Sequence, residues 1–82
     1  MNVPKSQKLP KVTWDRKYDL GYVYLYNPEV VKRFRIGSRE VRTKYGRLIV
    51  DYGSNGEVLG IESLWASKHF PKWVLDQAEI IG

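Results

Sequence analysis

The stretch Leu48 to Ser67, LIVDYGSNGEVLGIESLWAS, decides the fold of this chain, because two strand-like runs face each other across a glycine-punctuated turn. Leu48-Ile49-Val50 and Glu57 to Ile61 carry the β-branched and aliphatic residues of strands, and Gly53-Ser54-Asn55-Gly56 supplies the small, permissive residues of a hairpin loop. An antiparallel pair is predicted there. Asp51, Asn55, Gly56 and Glu62 also fall at positions one, five, six and twelve of a calcium-loop template. Gly53 offers no ligand at the third position, and the flanks are β-rich where an EF-hand needs helices, so positive φ in a hairpin is the better account of the glycines.

Working toward the amino terminus, Arg39, Val41, Thr43 and Tyr45 alternate with Ser38, Glu40, Arg42 and Lys44, a strand-like period in a stretch polar enough to be a loop. Val30, Lys32, Phe34 and Ile36 alternate with Val31, Arg33 and Arg35, which predicts another strand ended by Gly37-Ser38. Asn27-Pro28-Glu29 reads either as a helix cap with Pro at the first helical position or as a turn, and the turn is expected. Val12 and Trp14, then Leu20, Tyr22, Tyr24 and Tyr26, have the period of two of a pair of strands joined around Asp15 to Asp19. Residues 1–11 hold two prolines and three lysines with little to bury, which predicts a flexible basic arm ahead of a single domain over 12–82.

Beyond the hairpin the period changes. Phe70, Trp73, Val74, Ala78 and Ile81 lie on one stripe of a helix, with Pro71 near its first turn. The expected fold class is α+β: a small antiparallel β-meander of about four to five strands with a carboxy-terminal helix packed on one face.

Composition narrows the function. A chain of 82 residues is one domain and buries only roughly 60–65% of its unfolded surface. Three Trp, six Tyr and two Phe predict an aromatic core. With no Cys, disulfides, thiolate zinc sites and a cysteine nucleophile are excluded. No stretch approaches about 18 consecutive apolar residues and no signal-type run opens the chain, so a cytoplasmic protein without membrane contact is expected. The net charge of +5 is uneven: residues 1–47 carry twelve Lys and Arg against Asp15, Asp19, Glu29 and Glu40, whereas residues 48–82 carry two against five acids. An acidic partner for the first half, nucleic acid or protein, is expected, against the plainer reading of a solvated face.

Two motifs make the chain resemble the bacterial and phage domain of unknown function 2283. The first is Trp14-Asp15 followed by Asp19-Leu20-Gly21-Tyr22-Val23-Tyr24-Leu25; the second is Ile49-Val50-Asp51-Tyr52, Gly56, Val58-Leu59-Gly60-Ile61-Glu62 and Ala66-Ser67. Together they span about residues 12 to 67. The resemblance implies a compact sheet domain and brings no established activity. Some relatives look like partners of small toxin-type proteins, which would make this domain an antitoxin or accessory binding module.

The leading candidate site is a basic ribbon formed by Lys32, Arg33, Arg35, Arg39, Arg42, Lys44 and Arg47, with Phe34 and Tyr45 interleaved as a contact or stacking surface. Its expected partner is an acidic protein, and the function expected is that of a small non-enzymatic regulator, antitoxin-like or a host-directed inhibitor. The alternative is a nucleic-acid-binding accessory protein using the same cations on phosphates, without a standard base-reading motif. A metal-dependent enzyme on Asp15, Asp19, Asp51 and Glu62 ranks third, since such carboxylates more often cap turns. His69, the single histidine, lacks any triad signature and reads as a helix-entry residue. No cofactor is expected. If one sheet face is open, Tyr22, Tyr24 and Tyr26 would suit a partner or a homodimer.

Overall fold

The computed structural model describes residues 8–82, and the predicted hairpin lies at its centre as β4 (Gly46–Tyr52) and β5 (Val58–Ser63). The two strands pair antiparallel with Val50 opposite Ile61, and a bulge interrupts the register between Asp51 and Tyr52. Gly53 N–H donates to Glu57 O, and Gly56 N–H to Gly53 O, each at 2.9 Å, closing the turn. Gly56 has φ of 81°, the left-handed conformation that glycine adopts freely.

The sheet is larger than the expected meander. It has six strands, adding β1 (Lys11–Asp15), β2 (Leu20–Tyr24), β3 (Gly37–Thr43) and β6 (Glu79–Ile80), in the order β3-β4-β5-β2-β1-β6. Neighbours are antiparallel except β1 and β6, which run parallel, so the sheet is mixed. Residues 38–45, ambiguous between strand and loop, contribute most of β3. Lys11, assigned to the basic arm, begins β1 and pairs with Glu79 at 3.2 Å; residues 1–7 of that arm lie outside the described residues.

The segment expected to be a turn followed by a strand is instead helix α1 (Pro28–Phe34). Asn27 Oδ1 accepts from Glu29 N–H at 2.9 Å, and Pro28 occupies the first turn, where its missing N–H costs nothing. Glu29 near the start and Lys32 and Arg33 in the last turn complement the helix dipole. Over seven residues an alternating pattern and a helical one overlap, and the cap chemistry of Asn27-Pro28 decides between them.

The tail is likewise corrected. Two short helices, α2 (Ala66–His69) and α3 (Lys72–Asp76), flank Pro71, and β6 follows them. The residue before a proline is driven out of the helical region, and Phe70 is extended, so one continuous helix cannot form. The apolar stripe is split accordingly: Phe70, Val74 and Ala78 are half-buried, while Trp73 and Ile81 are exposed.

The pairing register assigns the two faces. Val12, Trp14, Gly21, Val23, Val50, Ile61 and Ser63 share one face. There Gly21 leaves room for α2, since a Cβ on it would lie 2.7 Å from Ala66 Cβ and 2.8 Å from Phe70 Cε2. The opposite face carries Thr13, Tyr22, Tyr24, Ser38, Asp51 and Glu62. The buried apolar side chains are Val12, Val31, Leu59 and Ala66, so the core is aliphatic where an aromatic one was expected. Large rings with polar tips sit at its margin, because short helices on a narrow sheet cannot enclose them.

Candidate functional site

Two signature motifs meet at Asp19. Its φ of 55° is a conformation that Asp tolerates better than most residues, and it places the carboxylate between β1 and α2. Asp19 Oδ1 accepts from Trp14 Nε1–H at 2.8 Å and from Ser67 N–H at 3.0 Å, while Oδ2 accepts from the Ser67 hydroxyl at 2.5 Å. Ala66 N–H donates to Asp19 O at 2.9 Å. Burial opposes ionisation of Asp19, but the hydrogen bonds from Ser67 and Trp14 outweigh it and hold the carboxyl below its ordinary range. Neighbouring Asp15 accepts from Lys17 and Tyr18 N–H at 3.0 and 3.2 Å, as a turn-forming Asp does.

A second cluster crosses the opposite face, beneath α1. Asp51 on β4 is only 3% exposed and accepts hydroxyl hydrogen bonds from Tyr22 on β2 and Ser38 on β3. Tyr22 reaches it by lying over Gly60 on the intervening strand, where any Cβ would overlap the phenol ring. Burial, then the Asp51 carboxylate, raise the Tyr22 phenol far above its ordinary pKa. Arg35 Nη1 stands 3.8 Å from Asp51 Oδ2, and Tyr24 packs against Tyr22 with ring centroids 4.3 Å apart. Between these rings and α1 runs a groove of about 340 Å³ whose walls include Val31, Lys32 and Arg35.

The third cluster holds the single histidine. Ser63 Oγ, fully buried, accepts from Trp65 N–H at 3.1 Å and is hydrogen-bonded to His69 Nδ1 at 2.6 Å. His69 Nε2–H then donates to Thr43 Oγ1 at 2.5 Å, which also accepts from Tyr45 N–H at 3.0 Å and donates to Gly46 O at 3.1 Å. This chain ties α2 to the tip of the β3–β4 hairpin. A serine with no accessible surface cannot meet a substrate, so the Ser–His contact is a structural tie.

The predicted basic ribbon is divided by the fold. Lys32, Arg33 and Phe34 occupy the last turn of α1, all exposed, beside a shallow concavity that Glu29 and Val30 complete. Arg35 turns back to Asp51, and Arg47 pairs with Glu40 at 2.9 Å. On β3, Arg39 shares the face of Val50, whereas Arg42 shares that of Asp51 and stands directly opposite Arg47. Lys44 lies at the hairpin tip, 5.3 Å from the Tyr45 ring centroid. Tyr45 is not an open stacking surface: it is half-buried, edge-on to Trp65 and His69 at 6.1 Å. Phe34 is 56% exposed and its neighbour Ile36 65% exposed, an apolar pair that the alternation places on a strand and the structure places at and just beyond the end of α1.

The four carboxylates do not converge. Asp15 and Asp19 serve the β1–β2 turn, and Asp51 and Glu62 lie on other strands; among the described residues no three His, Asp or Glu side chains gather closely enough to hold a metal ion. No helix among them is long and apolar enough to cross a membrane. The Tyr22–Gly60–Asp51 crossing was missed because cross-strand adjacency depends on strand order, which no local pattern encodes. An acid within a β-rich run, Asp51 after Leu48-Ile49-Val50, was its only sequence signal.

In comparisons with known proteins, the model of a family described as protein of unknown function (DUF2283) matches residues 11–67. No curated protein and no solved structure matches. The matched span contains Trp14, Asp19, Tyr22, Asp51, Gly60, Ala66 and Ser67, residues occupied in holding the sheet and α2 together.

Proposed function

The chain belongs to the DUF2283 family of proteins of unknown function, and because that membership brings no chemistry with it, we propose that the protein is a small binding module which engages an acidic protein by contact and not by catalysis. The observation that supports this most is the last turn of α1. Lys32 and Arg33 have no carboxylate within salt-bridge distance among the described residues, and they flank exposed Phe34 and Ile36. An aromatic anchor with a charged rim is the composition of a protein interface. Arg42, on the sheet face that α1 lies against, and Lys44 at the hairpin tip extend the positive field and steer the encounter. A cytoplasmic regulator of prokaryotic or phage origin, antitoxin-like or directed at a host protein, fits this mode of action.

Nucleic-acid binding is the competing use of the same cations. Glu29 lines the α1 concavity and Glu40 sits among the β3 arginines, and both would repel a phosphate backbone. Affinity capture from nuclease-treated bacterial lysate, with wild type beside a Lys32→Glu/Arg33→Glu variant, tests the proposal. A protein retained by the wild type and lost by the variant supports it. Capture of DNA or RNA in the untreated lysate, with affinity falling steeply with salt, replaces it by the phosphate reading. Equal capture by both proteins removes α1 from the interface.

A further inference from the structure

Strand β3 is the outermost long strand, and its free edge carries a pattern that a second copy of the chain would complete. Leu64 N–H donates to Arg47 O at 3.1 Å, so the backbone groups of Arg47, Ile49 and Asp51 point toward β5, and those of Leu48, Val50 and Tyr52 toward β3. Their partners Val41, Arg39 and Gly37 therefore use their ladder groups on β4. The N–H and C=O of Ser38, Glu40 and Arg42 consequently face outward, where no strand lies among the described residues.

We propose that two copies join through this edge as an antiparallel β3–β3 pair centred on Val41, making one continuous sheet. Charge selects the register. Centring the two-fold on residue 39, 40 or 42 would set Arg39, Glu40 or Arg42 against itself, and centring it on 43 would set Arg42 against Lys44. Centring on Val41 places Glu40 opposite Arg42 twice, Arg39 opposite Thr43 and Ser38 opposite Lys44, with no like pair. Glu40 and Arg42 are outward-facing residues, so they form the hydrogen-bonded pairs, while Val41 meets its copy in a close non-hydrogen-bonded pair.

The monomer leaves a demand that this register meets. Arg42 stands across from Arg47, whose own carboxylate partner is Glu40, and Arg42 has no acid within salt-bridge distance among the described residues. The second copy's Glu40 supplies one. Val41, 41% exposed, gains an apolar neighbour at the same time. The interface is independent of Lys32 and Arg33 on α1 and leaves them exposed.

Sedimentation equilibrium of the full chain from micromolar to near-millimolar concentration is the test. The wild type is expected to dimerise reversibly. Arg42→Glu alone and Glu40→Arg alone each set like charges across the axis and are expected to weaken the dimer by roughly tenfold or more. Mixing the two variants restores opposite charges at both pairs and is expected to give a heterodimer at least as tight as the wild-type dimer. Circular dichroism confirms that each variant is folded, and a variant that fails to fold is replaced by Glu40→Pro, which removes an outward N–H while leaving the backbone ladder to β4 in place and losing only the exposed Arg47 pair. A strictly monomeric wild type, or a dimer indifferent to these substitutions and to their mixing, overturns the proposal.

Discussion

Removing the Tyr22 hydroxyl tests whether Asp51 is the residue that draws β2, β3 and β4 together. Tyr22 and Ser38 both donate to a carboxylate that is 3% exposed, and the remaining charged partner, Arg35, stands 3.8 Å away. A hydrogen bond to a charged group contributes about 1.5–3 kcal/mol, and the buried carboxylate cannot recover it from water. Tyr22→Phe is therefore expected to destabilise the chain by about that amount, lowering Tm by at least about 6 °C in a domain of this size. In an Asp51→Ala background the hydroxyl has no carboxylate to meet, and the same substitution is expected to cost under about 0.5 kcal/mol. The coupling between the two sites is then about 1–2.5 kcal/mol. Urea unfolding of the wild type, both single variants and the double variant, followed by far-ultraviolet circular dichroism and tryptophan fluorescence, measures it. Additive single effects would refute the crossing over Gly60 as a stabilising contact.

Two pH dependences follow from the same clusters. Because the folded chain holds Asp19 below its ordinary pKa, the stability it contributes is complete above the unfolded carboxylate range and is lost as pH falls through the folded value; Asp19→Asn is expected to flatten that acid limb in urea titrations, and an unchanged limb would count against the Asp19–Ser67 tie. Tyr22 is raised, so its contribution is complete below the ordinary phenol range and is lost only as pH climbs above it. Ultraviolet titration of phenolate is expected to show a late phase above the ordinary phenol range that is absent in Tyr22→Phe; a wild-type curve without that phase would contradict its burial against Asp51.

Local chemistry made the hairpin legible: Leu48 to Val50 and Val58 to Ile61 are strands whichever partners they find. The α1 segment was misread because Val30 to Ile36 satisfies a period of two and a period of 3.6 within a few residues. Only the Asn27 cap distinguishes them. The tail stripe matched a helix, but Pro71 after extended Phe70 divides it, and the end of the chain turns back to pair with β1. The basic ribbon was legible as composition and not as geometry. Once residues 30–34 are helical, Lys32 and Arg33 leave the sheet, and the strict alternation along β3 sends Arg39 and Arg42 to opposite faces.

That alternation also bears on why a basic edge strand should join its own copy. Charges on an edge strand ordinarily guard against unplanned pairing, because an arbitrary register brings like charges together. Here the same guard operates at every two-fold register centred on residues 39 to 43 except the one at Val41, where Glu40 and Arg42 exchange partners. A purely protective edge would need no acid. Glu40 is the only carboxylate in β3, it is two residues from Arg42, and both present their backbone groups outward, so the edge discriminates among partners instead of refusing all of them.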